Sequence, residues 1–242
     1  MEWLHFREPV HAWTHALGLL LTIPACVLLW TRSRGDGWKR FAFAVFCLFM
    51  ANCYLSSTLF HAVRLPPLQV EWFATMDYVG IYLMIAGSIT PLALVVLQGP
   101  WRWGTLALAW GLAATGITLR LTLGDLPPLV LTALYAGMGW AVFACYFELA
   151  RLLTHQGLRL ALVGGLLYTV GAVFNVLHWP MIHPIWFTPH ALFHLFVVAG
   201  SMAHVWFLAE VVAAYQPAPA LAPAAPALRP ALALQRRSAP VA

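Results

Sequence analysis

The 242-residue chain is 62% hydrophobic and only 9% charged, and it carries a formal net charge of +5. Soluble proteins average about 45–50% apolar and about 25% charged residues, so this composition excludes an ordinary soluble domain. The basic residues are scattered over loops and tail rather than gathered on one face, which argues against a nucleic-acid partner.

Seven apolar runs are each long enough to cross a bilayer, which takes about 20 residues. In chain order they cover residues 14–31, 41–62, 74–97, 101–121, 127–153, 159–178 and 189–213. The sequence therefore predicts an all-α fold, a polytopic seven-transmembrane-helix bundle, with residues 1–215 as one membrane domain. Residues 216–242 are rich in proline and alanine, which favours a disordered tail over an eighth helix.

Lysine and arginine residues are unevenly divided between the two faces of this bundle. Counted loop by loop, ten lie on the side of the C-terminus and three on the side of the N-terminus. The positive-inside rule therefore predicts a cytoplasmic C-terminus in a multi-pass protein of the inner (plasma) membrane. Helix alternation then places the end of the second run and the starts of the third and seventh runs together on the external face.

Histidines are concentrated on that same face. Thr188 and Pro189 favour a helix start at the seventh run, so His190 and His194 lie in its first two turns. Because they are four residues apart, their imidazoles share one helix face and can bind one metal ion. With His61 at the end of the second run, they supply the three ligands of a typical catalytic zinc site, which keeps a fourth position for water. The sequence predicts this zinc site near one membrane face.

Two further polar residues are candidates for catalytic roles beside the metal. Ser57 lies one turn before His61 and is predicted to contact the ligands or the water; alternatively, its hydroxyl bonds the backbone of its own helix. Asp77 opens the third run and is predicted to act as general base or to bind the metal directly. The alternative for Asp77 is an ordinary acidic residue stabilised by the helix dipole.

The other histidines are less informative. His15 shares the metal-site face and is expected either to line a cavity or to lie at the membrane interface. His204 is rotated off the ligand face of its helix by about 80°, which favours a packing role. An interfacial position without any function accounts for His5, His11 and His183.

Six segments of the chain resemble, in order, the hemolysin III family of bacterial membrane proteins. They are REPVHAWTHALG, YLSSTLFHAV, MDYVGIYLMIAGSITP, LYAGMGW, GGLLYTVGAVF and HALFHLFVVAGSMAH. The resemblance covers roughly residues 7–210, and that family is similar to the progestin and adiponectin receptors and, more distantly, to the alkaline ceramidases. It implies a seven-helix zinc protein with ligands at His61, His190 and His194, and with Ser57 and Asp77 close to the ion.

The resemblance also carries functional expectations and some departures. Because the ceramidases cleave a lipid amide, it implies a lipid-amide hydrolase. Its adiponectin receptor branch implies a cytoplasmic N-terminus, opposite to the charge count. His11 stands where an asparagine is common, and Phe60 and Tyr78 replace the more usual tyrosine and histidine. None of these three is a predicted ligand, so the departures concern the surroundings of the metal.

Three hypotheses for function follow. The leading one is a zinc-dependent hydrolase that cleaves an amide or ester bond of a membrane lipid. The second is a receptor or regulator of membrane lipid state in which zinc is structural. The third, a pore or channel, is disfavoured because a self-inserting toxin needs a soluble state, which a chain of this apolarity does not offer. In the first two cases the expected partner is a membrane lipid.

Overall fold

A computed structural model describes residues 6–217. Within this range, seven helices are long and apolar enough to cross a membrane, which confirms the all-α bundle expected from the sequence. In chain order, spans 1 to 7 are Pro9–Arg32, Gly37–Ala62, Pro67–Val96, Gly99–Leu123, Pro128–Leu152, His155–Leu177 and Pro189–Val212. Residues 218–242 of the predicted tail lie outside the described residues.

Proline sets where most of these helices begin. Five spans carry proline in their first turn, where the missing N–H costs no hydrogen bond: Pro9, Pro67, Pro100, Pro128 and Pro189. A prediction from apolar runs misses a first helical turn that is polar. For this reason the predicted start of span 3 at residue 74 is too late. Asp77 lies ten residues after Pro67, about 15 Å along the helix. The dipole-stabilised alternative for Asp77 is wrong, because that effect fades within the first turn.

The start of span 7 agrees with the sequence. The Thr188 hydroxyl accepts a hydrogen bond from the Ala191 backbone N–H at 3.1 Å, and Pro189 is the first helical residue. The cap satisfies one of the N–H groups left without partners in the first turn. His190 and His194 therefore lie in the first two turns of the helix, as predicted.

Packing is uneven around the bundle. Span 2 contacts both span 1 and span 3 extensively, spans 6 and 7 contact each other extensively, and span 1 also lies against span 7. Span 5 is interrupted by a 3-10 turn at Ala141–Cys145 and makes much smaller contacts with its neighbours. The first and last spans are thus neighbours in the bundle, which brings the starts of both to one place.

At the opposite face, basic residues close the end of span 7. Lys39 at the start of span 2 is buried, and its Nζ donates to the carbonyl oxygens of Ala213 at 2.8 Å and Tyr215 at 2.7 Å. Arg32 donates to the carbonyl oxygen of Ala209 at 3.2 Å. These cations satisfy carbonyl groups that the helix end leaves unpaired.

The outer surface is covered by large apolar side chains. Among those left exposed are Leu20, Ile23, Leu48, Phe147 and Val163. So many exposed large apolar side chains are unfavourable in water and favourable in contact with lipid acyl chains. Together with the seven spans, it identifies a multi-pass membrane protein.

Candidate metal centre

The structure brings the three predicted ligands together from spans 2 and 7. The ring centroid of His61 lies 5.3 Å from that of His190 and 5.0 Å from that of His194, and the two rings of span 7 are 4.5 Å apart. Zinc–nitrogen bonds of about 2.0–2.1 Å in a tetrahedron place neighbouring imidazole centroids about 5 Å apart. The spacing of the three ring centroids is compatible with one metal ion, but the histidines whose nitrogens all lie within 4.8 Å of one another are His11, His61 and His190, a group that does not include His194.

A fourth ring, that of His11 in span 1, belongs to the same cluster. One nitrogen of His11, one of His61 and one of His190 all lie within 4.8 Å of one another. His11 therefore belongs to the histidine cluster, a position that the sequence analysis did not predict. The sequence did contain a signal, because His11 and His15 have the same four-residue spacing as His190 and His194.

Glu8 joins the start of span 1 to the end of span 2. Its backbone N–H donates to the His61 carbonyl oxygen at 2.9 Å, and its Oε2 contacts Nδ1 of His61 as well as Nδ1 of His11, the latter at 3.3 Å. Hydrogen bonds from His11 and His61 hold the pKa of the Glu8 carboxyl well below its ordinary value, so the group is ionised at neutral pH. Sequence reasoning missed Glu8, which precedes the first apolar run.

The two predicted ligands in span 7, His190 and His194, are oriented in a similar way. Nδ1 of His190 lies 2.9 Å from Oδ1 of Asn175 in span 6, which the sequence analysis also missed. Nδ1 of His194 lies 3.2 Å from the carbonyl oxygen of His11 and 3.1 Å from the Thr14 hydroxyl. Metal-bound histidines usually donate their second ring N–H to an oxygen in this manner, which fixes the tautomer and the ring orientation.

The second ring nitrogen of His61, Nε2, shows whether the site is suited to a metal ion. With Nδ1–H donated to Glu8, the lone pair is on Nε2, and this atom is buried without a hydrogen-bond partner among residues 6–217. An unpaired buried polar atom is costly, and a bound metal ion would satisfy it. Three imidazoles with oxygen-bound Nδ1 atoms thus form a donor set suited to zinc.

Ser57 is buried beside the cavity without a hydrogen bond to the main chain of the described residues. Its side chain is 1% exposed, and its Oγ has no hydrogen-bond partner within the described part of the chain. The neighbouring hydroxyls behave differently, since Ser56 donates to the Cys53 carbonyl at 3.1 Å and Thr58 to the Tyr54 carbonyl at 2.7 Å. The alternative in which Ser57 bonds its own helix backbone is therefore wrong.

A cavity of ≈ 510 Å³ begins at the metal-ligand end of the bundle. Ser57, Asp77, His190 and His194 line that end, and the wall beyond it is mainly apolar. The cavity continues between spans 3, 5, 6 and 7 as far as residues at the opposite face, among them Arg159. Such an elongated apolar space beside polar groups suits an amphiphilic molecule.

The two weaker histidine candidates differ in their surroundings. His15 is 4% exposed and stacks on His194, with ring centroids 3.7 Å apart and an interplanar angle of 13°. It lines the cavity, so the interfacial alternative for His15 is wrong. His204 packs against the Tyr168 ring at 5.4 Å, in agreement with its predicted packing role.

Replacing Glu8 by glutamine is expected to weaken zinc binding by about 10-fold to 100-fold, the usual cost of losing an outer partner of a ligand. The neutral amide no longer favours the N–H form of Nδ1 on His61 and His11. Competition with a chelator of known affinity measures the change. Glu148→Gln is the control, because Glu148 pairs at 3.7 Å with an exposed arginine far from the cluster. Equal zinc affinity in both variants would contradict the orienting role of Glu8.

Similarity to known proteins extends over most of the chain. The sequence profile described as haemolysin-III related matches residues 4–205. Hemolysin-3 of Bacillus cereus is 37% identical over 197 residues, which cover 81% of this chain and 87% of that protein. The Hemolysin-3 homolog of Bacillus subtilis (strain 168) is 34% identical over 199 residues, covering 81% and 90%. The adiponectin receptor protein of Drosophila melanogaster is 22% identical over 226 residues, covering 84% and 50%.

Proposed function

The chain belongs to the haemolysin-III-related family of membrane proteins, and on that premise we propose that it is a zinc-dependent hydrolase acting on a membrane lipid. The bond cleaved is an amide or an ester. One observation carries the proposal: His190 and His194, whose Nδ1 atoms are held by oxygens, line the end of an apolar cavity together with Ser57 and Asp77, and the His61 ring lies beside them.

In this proposal His61, His190 and His194 hold the zinc ion. Bound there, zinc supplies Lewis-acid chemistry that polarises a carbonyl and makes water more acidic. Asp77 takes a proton from the attacking water and returns it to the leaving group, as a general base must. The unpaired Ser57 hydroxyl orients the polar group of the substrate by a hydrogen bond.

The substrate class follows from the cavity. Its volume of ≈ 510 Å³ lies within the range of about 300–1,000 Å³ found for small-molecule sites. Apolar residues such as Leu131, Ile85 and Val197 line the cavity. An acyl chain that enters it from water gains free energy, and one that enters from the bilayer exchanges one apolar environment for another at little cost. The carbonyl of such a chain then lies at the end that carries Asp77 and His190.

The test is a lipid-hydrolysis assay on the purified protein in lipid nanodiscs. Ceramide and phosphatidylcholine are offered separately, and released fatty acid is measured by mass spectrometry. We expect release by the zinc-loaded protein and its loss after chelation, with recovery when zinc is returned. Zinc-loaded protein that releases fatty acid no faster than empty nanodiscs from any lipid offered would contradict the hydrolase.

A receptor or regulator of membrane lipid state is the second candidate. It is favoured by the similarity to a protein named as an adiponectin receptor, and by the weak packing of the interrupted span 5, which could shift when a ligand enters. In that case zinc is structural and a lipid binds without being cleaved. Lipid binding with no product in the hydrolysis assay would select this alternative. A pore or channel remains the weakest of the three.

We further propose that the protein resides in the inner (plasma) membrane with the C-terminus in the cytoplasm and the histidine cluster on the external side. The support is the ten-to-three division of basic residues. A C-terminal green fluorescent protein fusion should fluoresce, and a C-terminal alkaline phosphatase fusion should be inactive. The reverse pair of results would place the cluster on the cytoplasmic side, leaving its set of residues unchanged.

A further inference from the structure

Four imidazole rings, rather than three, have the mutual spacing of ligands around one ion. The His11 centroid lies 5.2 Å from that of His61, 4.7 Å from that of His190 and 5.5 Å from that of His194. With the three distances among the other rings, all six pairs fall between 4.5 and 5.5 Å. Zinc in a tetrahedron of nitrogens requires about 5 Å for each pair.

His15 does not share this arrangement. Its ring lies parallel to that of His194 at 3.7 Å, too close for two separate corners of a tetrahedron. A stacked ring presents its nitrogens alongside those of its neighbour rather than toward a common centre. The set of equally spaced rings is therefore His11, His61, His190 and His194.

Both ring nitrogens of His11 have hydrogen-bond partners, so metal binding requires one of these partners to be exchanged. Its Nδ1 lies 3.3 Å from the Glu8 carboxylate, which is also the partner of His61. Its Nε2 lies 3.1 Å from the Thr188 hydroxyl, whose oxygen already accepts the N–H of Ala191. With its Nδ1–H donated to the Glu8 carboxylate, His11 accepts the Thr188 hydroxyl hydrogen at Nε2, and the single lone pair of Nε2 is directed at that hydroxyl. A metal ion bound at Nε2 replaces the Thr188 hydroxyl as the partner of this lone pair.

We propose that His11 is a fourth protein ligand of the zinc ion and closes the position that a three-histidine site would leave open. This inference rests on the proposed zinc site of His61, His190 and His194. In the resting protein the ion is held by four imidazoles, and a lipid must displace His11 to reach it. Thr188 then receives the displaced ring, because its hydroxyl is already placed to donate to Nε2.

A closed site and an open site respond differently to small anions. The purified protein is loaded with Co²⁺, and its visible spectrum is titrated with azide. We expect the wild-type spectrum to stay unchanged and that of His11→Asn to shift, because the variant frees a coordination position. His11→Asn should also bind zinc at least about tenfold more weakly. Losing a hydrogen-bond partner of a ligand already costs about tenfold or more in affinity, and losing a ligand costs no less. His183→Asn, on an exposed loop, is the matched control.

A second measurement needs no variant. X-ray absorption of the zinc-loaded wild-type protein counts the imidazoles around the ion, and four are expected. Three imidazoles plus an oxygen, or a wild-type spectrum that responds to azide as His11→Asn does, would overturn the inference while leaving the three-histidine site intact. A wild-type protein that binds no zinc would overturn both this inference and the proposed function.

Discussion

Replacing His194 by alanine is expected to strip the protein of zinc. The purified wild-type protein should carry about one zinc per chain, and the variant should retain almost none after exposure to a chelator. His194 is 1% exposed on a rigid helix, and its ring also holds the His11 backbone through Nδ1. Its loss therefore removes one ligand and loosens another, and we expect affinity to fall at least about a hundredfold. Metal analysis by mass spectrometry measures the stoichiometry.

The matched control for this variant is His155→Ala. His155 is an exposed histidine at the start of span 6, on the face opposite the cluster. It should keep its zinc, which separates loss of a ligand from a general effect of removing a histidine. Stoichiometric zinc in chelator-treated His194→Ala would exclude His194 as a ligand and leave His11, His61 and His190 as the set that holds the ion.

Replacing Asp77 by asparagine is expected to separate metal binding from turnover. Asparagine keeps the size and hydrogen-bonding capacity of the side chain but cannot accept the proton, so zinc should remain while lipid hydrolysis falls by about 10²–10⁴. Hydrolysis rate and zinc content are measured on the same preparation. Asp36→Asn is the control, since Asp36 caps span 2 at the opposite face and asparagine caps helices equally well.

The two ways in which this variant can depart from expectation have different meanings. Undiminished hydrolysis in Asp77→Asn would refute the general-base role. Loss of zinc from the variant would instead make Asp77 a ligand, the alternative that its sequence position left open. The buried position of Ser57 beside the cavity allows a parallel comparison, because Ser57→Ala should slow turnover without loss of zinc.

The sequence predicts the architecture well because burial in lipid imposes a simple rule on composition. Each span must be apolar over about 20 residues, and that rule is local. It fails at helix starts such as that of span 3, where proline and the membrane interface, rather than apolarity, decide the boundary. The error placed Asp77 in a first turn when it lies well inside the helix.

The residues of the candidate site also fall into two groups, those that local sequence rules predict and those that they do not. His190 and His194 were predicted from spacing within one helix, and His61 from the alternation of helices between membrane faces. Glu8 and Asn175 could not be found by such rules, since each acts through a contact between spans. Glu8 contacts His61, which is 53 positions away in the sequence, and no pattern in the residues around Glu8 predicts that contact. Only the packing of spans 1 and 2 reveals it.

The contact between the first and last spans has a consequence for how the protein is made. A ribosome delivers span 1 first and span 7 last, so the imidazoles of the cluster are separated in time during synthesis until the final helix enters the bilayer. A chain that stops after span 6 contains His11 and His61 but lacks His190 and His194. The proposed zinc site is therefore complete only after span 7 has entered the bilayer.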